Sequence, residues 1–223
     1  MNFDSFTLAA STATLAEEPA ARTHADCVEF RLDLAVDGES QLSAYDGSLP
    51  LLVTNRVETE GGEAPDTPAR LDRLETAISH PRVDAIDLEL AALQAGDALE
   101  LAEFAREQSV SVVVSTHDFE RTPSRERMRE LLLTAGEYGD VGKLAVTAHD
   151  RADVLDLLSV THELTTSGER VATMAMGEAG RHSRVVAPLY GSRIGYAPVA
   201  SENATAPGQY DLETLRRLVE QLE

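Results

Sequence analysis

The sequence predicts an α/β protein, a single-domain (β/α)8 TIM barrel over residues 1–223, on three observations. Short β-like runs alternate with helix-like stretches from end to end, about eight times in the chain. Two of those runs put apolar residues on one face and charges on the other with strict period two. The competing doubly wound sheet lacks its marks, since no GxGxxG turn follows the first run and no P-loop occurs.

The expected strands, in order, are Phe6–Ser11, Cys27–Leu34, Leu51–Arg56, Ala85–Leu90, Val110–Ser115, Gly142–Val146, Val171–Met176 and Arg193–Ala197. Helical stretches among them include Thr67–Ser79, Asp97–Gln108, Pro123–Tyr138 and Arg151–Leu164. Asp211–Leu222 closes the chain, with Leu212, Leu215, Val219 and Leu222 at helical spacing. Helix starts are marked at Asp66 with Thr67-Pro68, at Thr122-Pro123 and at Asp150. No linker, low-complexity tract or repeat divides the chain.

The alternating runs bear on function. Val28, Phe30, Leu32 and Leu34 are apolar where Glu29, Arg31 and Asp33 are charged, and Ile86, Leu88 and Leu90 flank Asp87 and Glu89 in the same way. In an antiparallel surface sheet the charged face would meet water. In a barrel the apolar face packs on the helices, so the charges point inward, near the strand ends where barrels build their sites.

Composition narrows the partners. Hydrophobic residues make up 43% and charged residues 26%, a globular balance. Thirty-nine acids against 19 bases leave a formal charge of −20, which repels nucleic acid and anionic lipid, so neither is an expected partner. The acids are dispersed along the chain, as in proteins of halophiles that accumulate salt, where repulsion is screened within a few ångströms. No apolar run has the length of a membrane span, and the first residues carry acids where a signal peptide is apolar. Cys27 is the only cysteine. A cytoplasmic location is therefore expected.

Of the 19 basic residues only one is a lysine, Lys143, set in the apolar run Val141–Val146. Chance survival of one lysine at a strand edge is the plain alternative. The functional reading is an amine that arginine cannot replace, because a guanidinium stays protonated whereas a buried lysine can shed its proton and attack.

Further polar groups gather at the strand ends and the loops after them. They are Glu29, Arg31, Arg56, Glu60, Asp87, Glu89, His117 and Asp118, with Arg184, Thr205 and Gln209 later. Arginine forks suit a carboxylate and acids suit hydroxyls, so a small, anionic, hydroxylated substrate is expected. No CxxC, HxH or HExxH spacing exists, so no metal is expected, and no GxSxG elbow marks an acyl-transfer serine.

Ordered blocks along the chain carry a resemblance. Glu29-Phe-Arg-Leu-Asp33, Arg56 with Glu60-Gly-Gly62, Ile86-Asp-Leu-Glu89, Ser115-Thr-His-Asp-Phe119 and the strand holding Lys143 resemble the type I 3-dehydroquinate dehydratases. So do Met174-Ala-Met-Gly177, Gly180-Arg-His-Ser-Arg184 and Ala206-Pro-Gly-Gln209. The resemblance implies a lyase of the shikimate pathway that dehydrates 3-dehydroquinate to 3-dehydroshikimate, with no cofactor, acting as a homodimer. Lys143 would form an iminium with the substrate ketone, His117 would be the general acid and base, and Glu60 would orient it. Arg184, Gln209 and Thr205 would hold the carboxylate, and Glu29, Arg31 and Arg56 the ring hydroxyls. Asp87 and Glu89 read as counterions to the arginines, and Met174 and Met176 as core. Three departures from the family pattern stand out: Gly142 directly before the lysine, Thr205 in place of serine, and an extended 200–204 loop.

Other functions remain open at this point. A Schiff-base aldolase on a small hydroxylated keto acid would use the same lysine, but that class usually carries a phosphate site after the last strands. A catalytically dead barrel would bind without turnover, and an acidic decoy of nucleic acid would concentrate its charge on one face.

Overall fold

A computed structural model describes residues 1–200 and 208–222. Eight parallel strands stand in the order β7-β6-β5-β4-β3-β2-β1-β8 as a nearly closed barrel. They are β1 (Thr7–Thr12), β2 (Cys27–Arg31), β3 (Leu51–Thr54), β4 (Val83–Glu89), β5 (Ser111–Asp118), β6 (Val141–Thr147), β7 (Val171–Met176) and β8 (Ile194–Pro198). The predicted fold class holds.

The helices lie outside the strands. They are α1 (Glu18–Ala21), α2 (Gly38–Ser43), α3 (Pro68–Ile78), α4 (Leu90–Ala95), α5 (Leu99–Glu107), α6 (Arg125–Tyr138), α7 (Arg151–Thr166), α8 (Gly177–Gly180), α9 (Ser183–Val186) and α10 (Leu212–Glu220). Asp150 caps α7 with a reciprocal capping box, and Asp211 accepts from Thr214 N–H at 2.9 Å to start α10. Ser124, not Thr122-Pro123, is the cap of α6, because its hydroxyl accepts from the Arg127 N–H. The short helices α1, α2, α4, α8 and α9 were not anticipated, being four to six residues long with little periodicity to read.

Several strand ends differ from expectation for identifiable reasons. β2 stops at Arg31, where the chain turns and Leu34 N–H bonds back to Arg31 O at 3.1 Å. β3 stops at Thr54, and Asn55 turns its amide to the Arg70 carbonyl at 2.8 Å. β5 runs three residues past Ser115, which puts His117 on the strand itself.

The barrel interior is tiered. Ala9, Cys27, Leu52, Ala85, Val113, Val141, Ala172 and Ile194, one from each strand, belong to a buried apolar cluster that Phe3 joins. The next inward position along each strand brings Ser11, Glu29, Thr54, Asp87, Ser115, Lys143, Met174 and Tyr196, all buried. The opposite faces of the strands, including Val28, Phe30, Ile86, Leu88, Val112 and Val114, pack against Leu74, Ile78, Leu93 and Leu101 of the helices. The charged faces of β2 and β4 therefore do point inward.

β7 and β8 share no strand ladder, and one backbone bond with one serine hydroxyl fastens that seam. Arg193 N–H donates to Val171 O at 2.8 Å, and Thr173 N–H donates to the Ser192 hydroxyl at 3.0 Å. The Thr173 hydroxyl also meets that of Thr161 on α7 at 2.6 Å.

Candidate active site

The polar tier opens upward into a cleft of about 530 Å³, its open mouth included, at the C-terminal ends of the strands. Lys143, His117, Glu60, Glu29, Arg31, Arg56, Arg184 and Gln209 all line it. Every described residue expected at the site is thus brought together, while Thr205 and the loop 201–204 lie outside the described residues.

Lys143 projects from β6 and is 5% exposed. Its Nζ donates to Asp87 Oδ2 at 3.0 Å and stands over the Tyr196 ring, 4.4 Å from the centroid. Gly142 does not loosen this strand. A Cβ there would meet the Leu132 carbonyl at 2.7 Å, so the glycine lets α6 press against β6 directly behind the lysine.

Asp87 has more work than that of an arginine's counterion. Its Oδ1 accepts from Arg56 Nη2 and the Ser115 hydroxyl, both at 2.6 Å, while Oδ2 faces the lysine. The Arg56 and Lys143 charges outweigh its burial and hold its carboxyl well below the usual range. Glu89 completes a buried ladder, accepting from Arg56 Nη1 at 2.8 Å and from Arg70 Nη1 at 2.7 Å. Arg56, fully buried, keeps its charge beside these acids.

His117 and Glu60 form a pair across the cleft wall, with Nδ1 2.8 Å from Oε2. Glu60 is carried by the turn after β3. A Cβ at Gly62 would stand 2.0 Å from the Arg56 carbonyl, so that turn closes tightly enough only with glycine. Burial pushes the Glu60 carboxyl up to about 7, against the pull of Arg56. Burial first, then the Arg56 and Lys143 charges, push the His117 imidazole well below its usual value, so it is neutral at neutral pH.

The other walls are acceptors and cations. Glu29 takes hydroxyl hydrogens from Ser11 at 2.5 Å and Thr54 at 3.0 Å. Arg31 is held by Asp33 through Nε at 2.9 Å and Nη2 at 2.6 Å. Arg184 follows Ser183, whose hydroxyl accepts from the Ala175 N–H at 2.8 Å and ties α9 to β7. Burial lowers the Arg184 guanidinium to about 10, which leaves it charged at neutral pH. The Arg181 guanidinium lies 4.2 Å from the Tyr210 ring centroid, which fastens the segment carrying Gln209 to α8. Met174 and Met176 are buried as expected, yet both also line the cleft.

Sequence reasoning missed Asp87 as a partner of the lysine, Tyr196 beneath it, and the hydroxyls of Ser11, Thr54 and Ser115. Strand parity carried part of that signal, since Asp87 shares a face with Glu89, Thr54 precedes Arg56 by two and Ser115 shares a face with His117. No residue of β1 or β8 had been singled out beside Ser11 or Tyr196. Phe119, 47% exposed at the mouth, stacks near His117 with ring centroids 6.2 Å apart.

A family model described as Type I 3-dehydroquinase matches residues 6–223. The chain belongs to the type I 3-dehydroquinase family. It is accordingly an enzyme, a 3-dehydroquinate dehydratase of the shikimate pathway. The 3-dehydroquinate dehydratase of Haloarcula marismortui is 60% identical over 226 residues, covering 100% of this chain and 99% of that protein. That of Halobacterium salinarum is 51% identical, covering 100% of both. Among solved structures, the 3-dehydroquinate dehydratase of Geobacillus kaustophilus superposes with a TM-score of 0.87 at 29% identity, covering 98% of this chain and 91% of that one. The type I enzyme of Clostridium difficile, solved with covalently modified comenic acid, gives 0.84 at 26% identity, covering 98% and 92%. Among the described residues, no group of three or more metal-ligating side chains converges, and no helix is long and apolar enough to cross a membrane.

Proposed function

We propose that the dehydration runs through an iminium on Lys143, with His117 as general acid and base and Glu60 as its orienting partner. One observation carries this reading: the chain's only lysine is buried in the polar tier of the cleft that also presents His117. The Clostridium difficile relative was solved with covalently modified comenic acid, which fits the covalent chemistry proposed for this chain.

Lys143 sheds a proton as its nitrogen adds to the ketone carbon, that proton departs with the resulting hydroxyl as water, and a cationic C=N bond remains. That bond draws electrons from the adjacent carbon, so neutral His117 can take its proton and an enamine forms. The enamine expels the hydroxyl from the next carbon, which leaves as water with the proton His117 returns. A second water then hydrolyses the iminium, releasing 3-dehydroshikimate and returning to Lys143 the proton it shed at the start, so the sum is substrate to product plus one water. The lysine itself is the electron sink, and the reading requires no cofactor or metal.

Buried and cationic, Arg184 takes the substrate carboxylate with Gln209 and Thr205. Glu29, Arg31 and Arg56 take the ring hydroxyls. Asp87 steadies the lysine before and after attack. Residues 1–223 act as one catalytic unit, as a homodimer in the cytoplasm of a salt-accumulating cell, the state that the single cysteine, the dispersed acids and the family resemblance support.

Borohydride added with 3-dehydroquinate tests the mechanism. It should inactivate the protein and fix one ligand per chain on Lys143. Trypsin then reads the site: untreated protein yields Glu130–Lys143 and Leu144–Arg151, whereas trapped protein yields one joined peptide, Glu130–Arg151, heavier by the reduced ligand. Lys143→Arg should lose both adduct and activity. Full turnover by that variant, or an adduct at the N-terminus alone, overturns the reading.

A further inference from the structure

The Lys143 nitrogen has a second neighbour whose role does not follow from acid–base chemistry. Tyr196, on β8, presents its ring face to Nζ at 4.4 Å from the centroid. The residue is 5% exposed, and its hydroxyl is buried without a hydrogen-bond partner among the described residues. Buried tyrosines ordinarily find a partner for the O–H, because a stranded polar group is costly. A phenol therefore stands here although its polar end finds no partner among the described residues. The ring, not the hydroxyl, meets the reacting atom.

We propose that the Tyr196 ring face is a contact for the reacting nitrogen throughout the covalent cycle, stabilising the iminium as it forms and keeping it electrophilic. The proposal rests on the Schiff-base reading above and deepens it. An ammonium has three hydrogens to donate, whereas an iminium joined to a ring carbon keeps one. Asp87 Oδ2 can accept that one, and Asp87 Oδ1 is already taken by Arg56 and Ser115. The iminium thus keeps only the bond that Asp87 already takes from the lysine and has no hydrogen left for a second acceptor. The rest of its charge must be met without one in a buried site. An aromatic face meets that need, since its negative quadrupole attracts a cation without requiring a hydrogen. It has no lone pair basic enough to take the proton or add to the C=N bond. A second carboxylate in the same place could do both. Glu29 and Asp87 nearby, together with burial, keep the phenol itself neutral.

The test measures how fast 3-dehydroquinate with borohydride fixes ligand on Lys143. Tyr196→Leu should slow fixation about tenfold, the scale of a desolvated cation–π contact. Tyr196→Phe should recover most of that loss. A series of singly, doubly and triply fluorinated phenylalanines at position 196, which drain the ring face at nearly constant shape, should slow fixation step by step. This series stays informative if the leucine variant folds poorly. A flat fluorine series, or a phenylalanine variant as slow as leucine, overturns the contact while leaving the Schiff base standing. Failure of the unaltered protein to trap any ligand on Lys143 is a different result, which removes the underlying reading and this contact with it.

Discussion

One oxygen of Glu60 accepts from both the backbone N–H of His117, at 3.1 Å, and stands 2.8 Å from its ring Nδ1. The backbone group can only donate, so Oε2 is already in an accepting role. An ionised Glu60 therefore draws the imidazole proton to Nδ1 and leaves the Nε2 lone pair to work as a base. This two-point grip sets tautomer and ring direction together.

Activity should fall as pH drops through about 7, where the Glu60 carboxyl takes up a proton. A protonated Glu60 donates to Nδ1 and drives the ring hydrogen to Nε2, which removes the base. Glu60→Gln keeps an accepting oxygen but no charge. It should flatten this acid limb and lower the plateau by about tenfold or more. The pH profile of kcat/KM for both proteins checks this, and an unchanged acid limb in the variant would falsify the assignment.

His117→Ala should leave iminium formation in place and slow turnover by about 10², the scale of a missing general acid and base. Mass spectrometry of borohydride-quenched mixtures should then find more ligand on Lys143 than in the unaltered protein. Turnover without loss takes His117 out of the reaction.

Arg184→Ala should raise KM for 3-dehydroquinate much more than it lowers kcat, because the carboxylate loses a buried, charge-assisted partner. Tyr210→Ala should do the same more weakly, by freeing the Gln209 segment from Arg181. Equal losses in kcat and kcat/KM for Arg184→Ala would place its contact in the transition state instead.

Asp87→Asn should cost about 3–5 kcal/mol of stability, the usual effect of removing one partner from a buried charge network. The variant leaves Arg56 and Lys143 facing each other without the carboxylate that now separates them. Because the folded carboxyl lies below its unfolded value, this stabilisation is full above the ordinary carboxylate range and fades as pH falls below it. Urea unfolding at pH 7 and at pH 3 should show a smaller gap between the two proteins in acid.

Thermal stability should climb from dilute buffer to molar KCl, since salt relieves the repulsion of a −20 chain. The buried network of Arg56, Asp87 and Glu89 is little exposed to that screening. Activity per folded molecule should thus change less with salt than the fraction folded does. A melting temperature that stays level across the salt range contradicts this.

Much of this molecule was legible because period two and period 3.6 are visible in single residues. The alternation of Val28 through Leu34 stated which side of β2 faces inward, and the parity of Asp87 and Glu89 did so for β4. Lys143 stood out by being the only residue of its kind. What stayed hidden depends on contacts across the barrel. Nothing local in Gly195-Tyr196 says that the ring lies beneath a lysine more than fifty positions earlier. Asp87 looked like a counterion because a sequence shows that it is acidic but not how its two oxygens are divided. Strand ends were misjudged where a side chain intercepts the backbone, as Asn55 does after β3.

The apolar floor of Ala9, Cys27, Leu52, Ala85, Val113, Val141, Ala172 and Ile194, with Phe3 among them, makes the cleft a cul-de-sac. Substrate and product therefore both use the upper opening. Product must back out past Phe119 before the next molecule can arrive, so any ring acid that fits the chamber competes head-on with substrate. On the proposed mechanism the water shed in elimination forms inside this chamber, where hydrolysis of the C=N bond also needs one. A chamber sealed below can thus hand its own by-product to the step that ends the cycle.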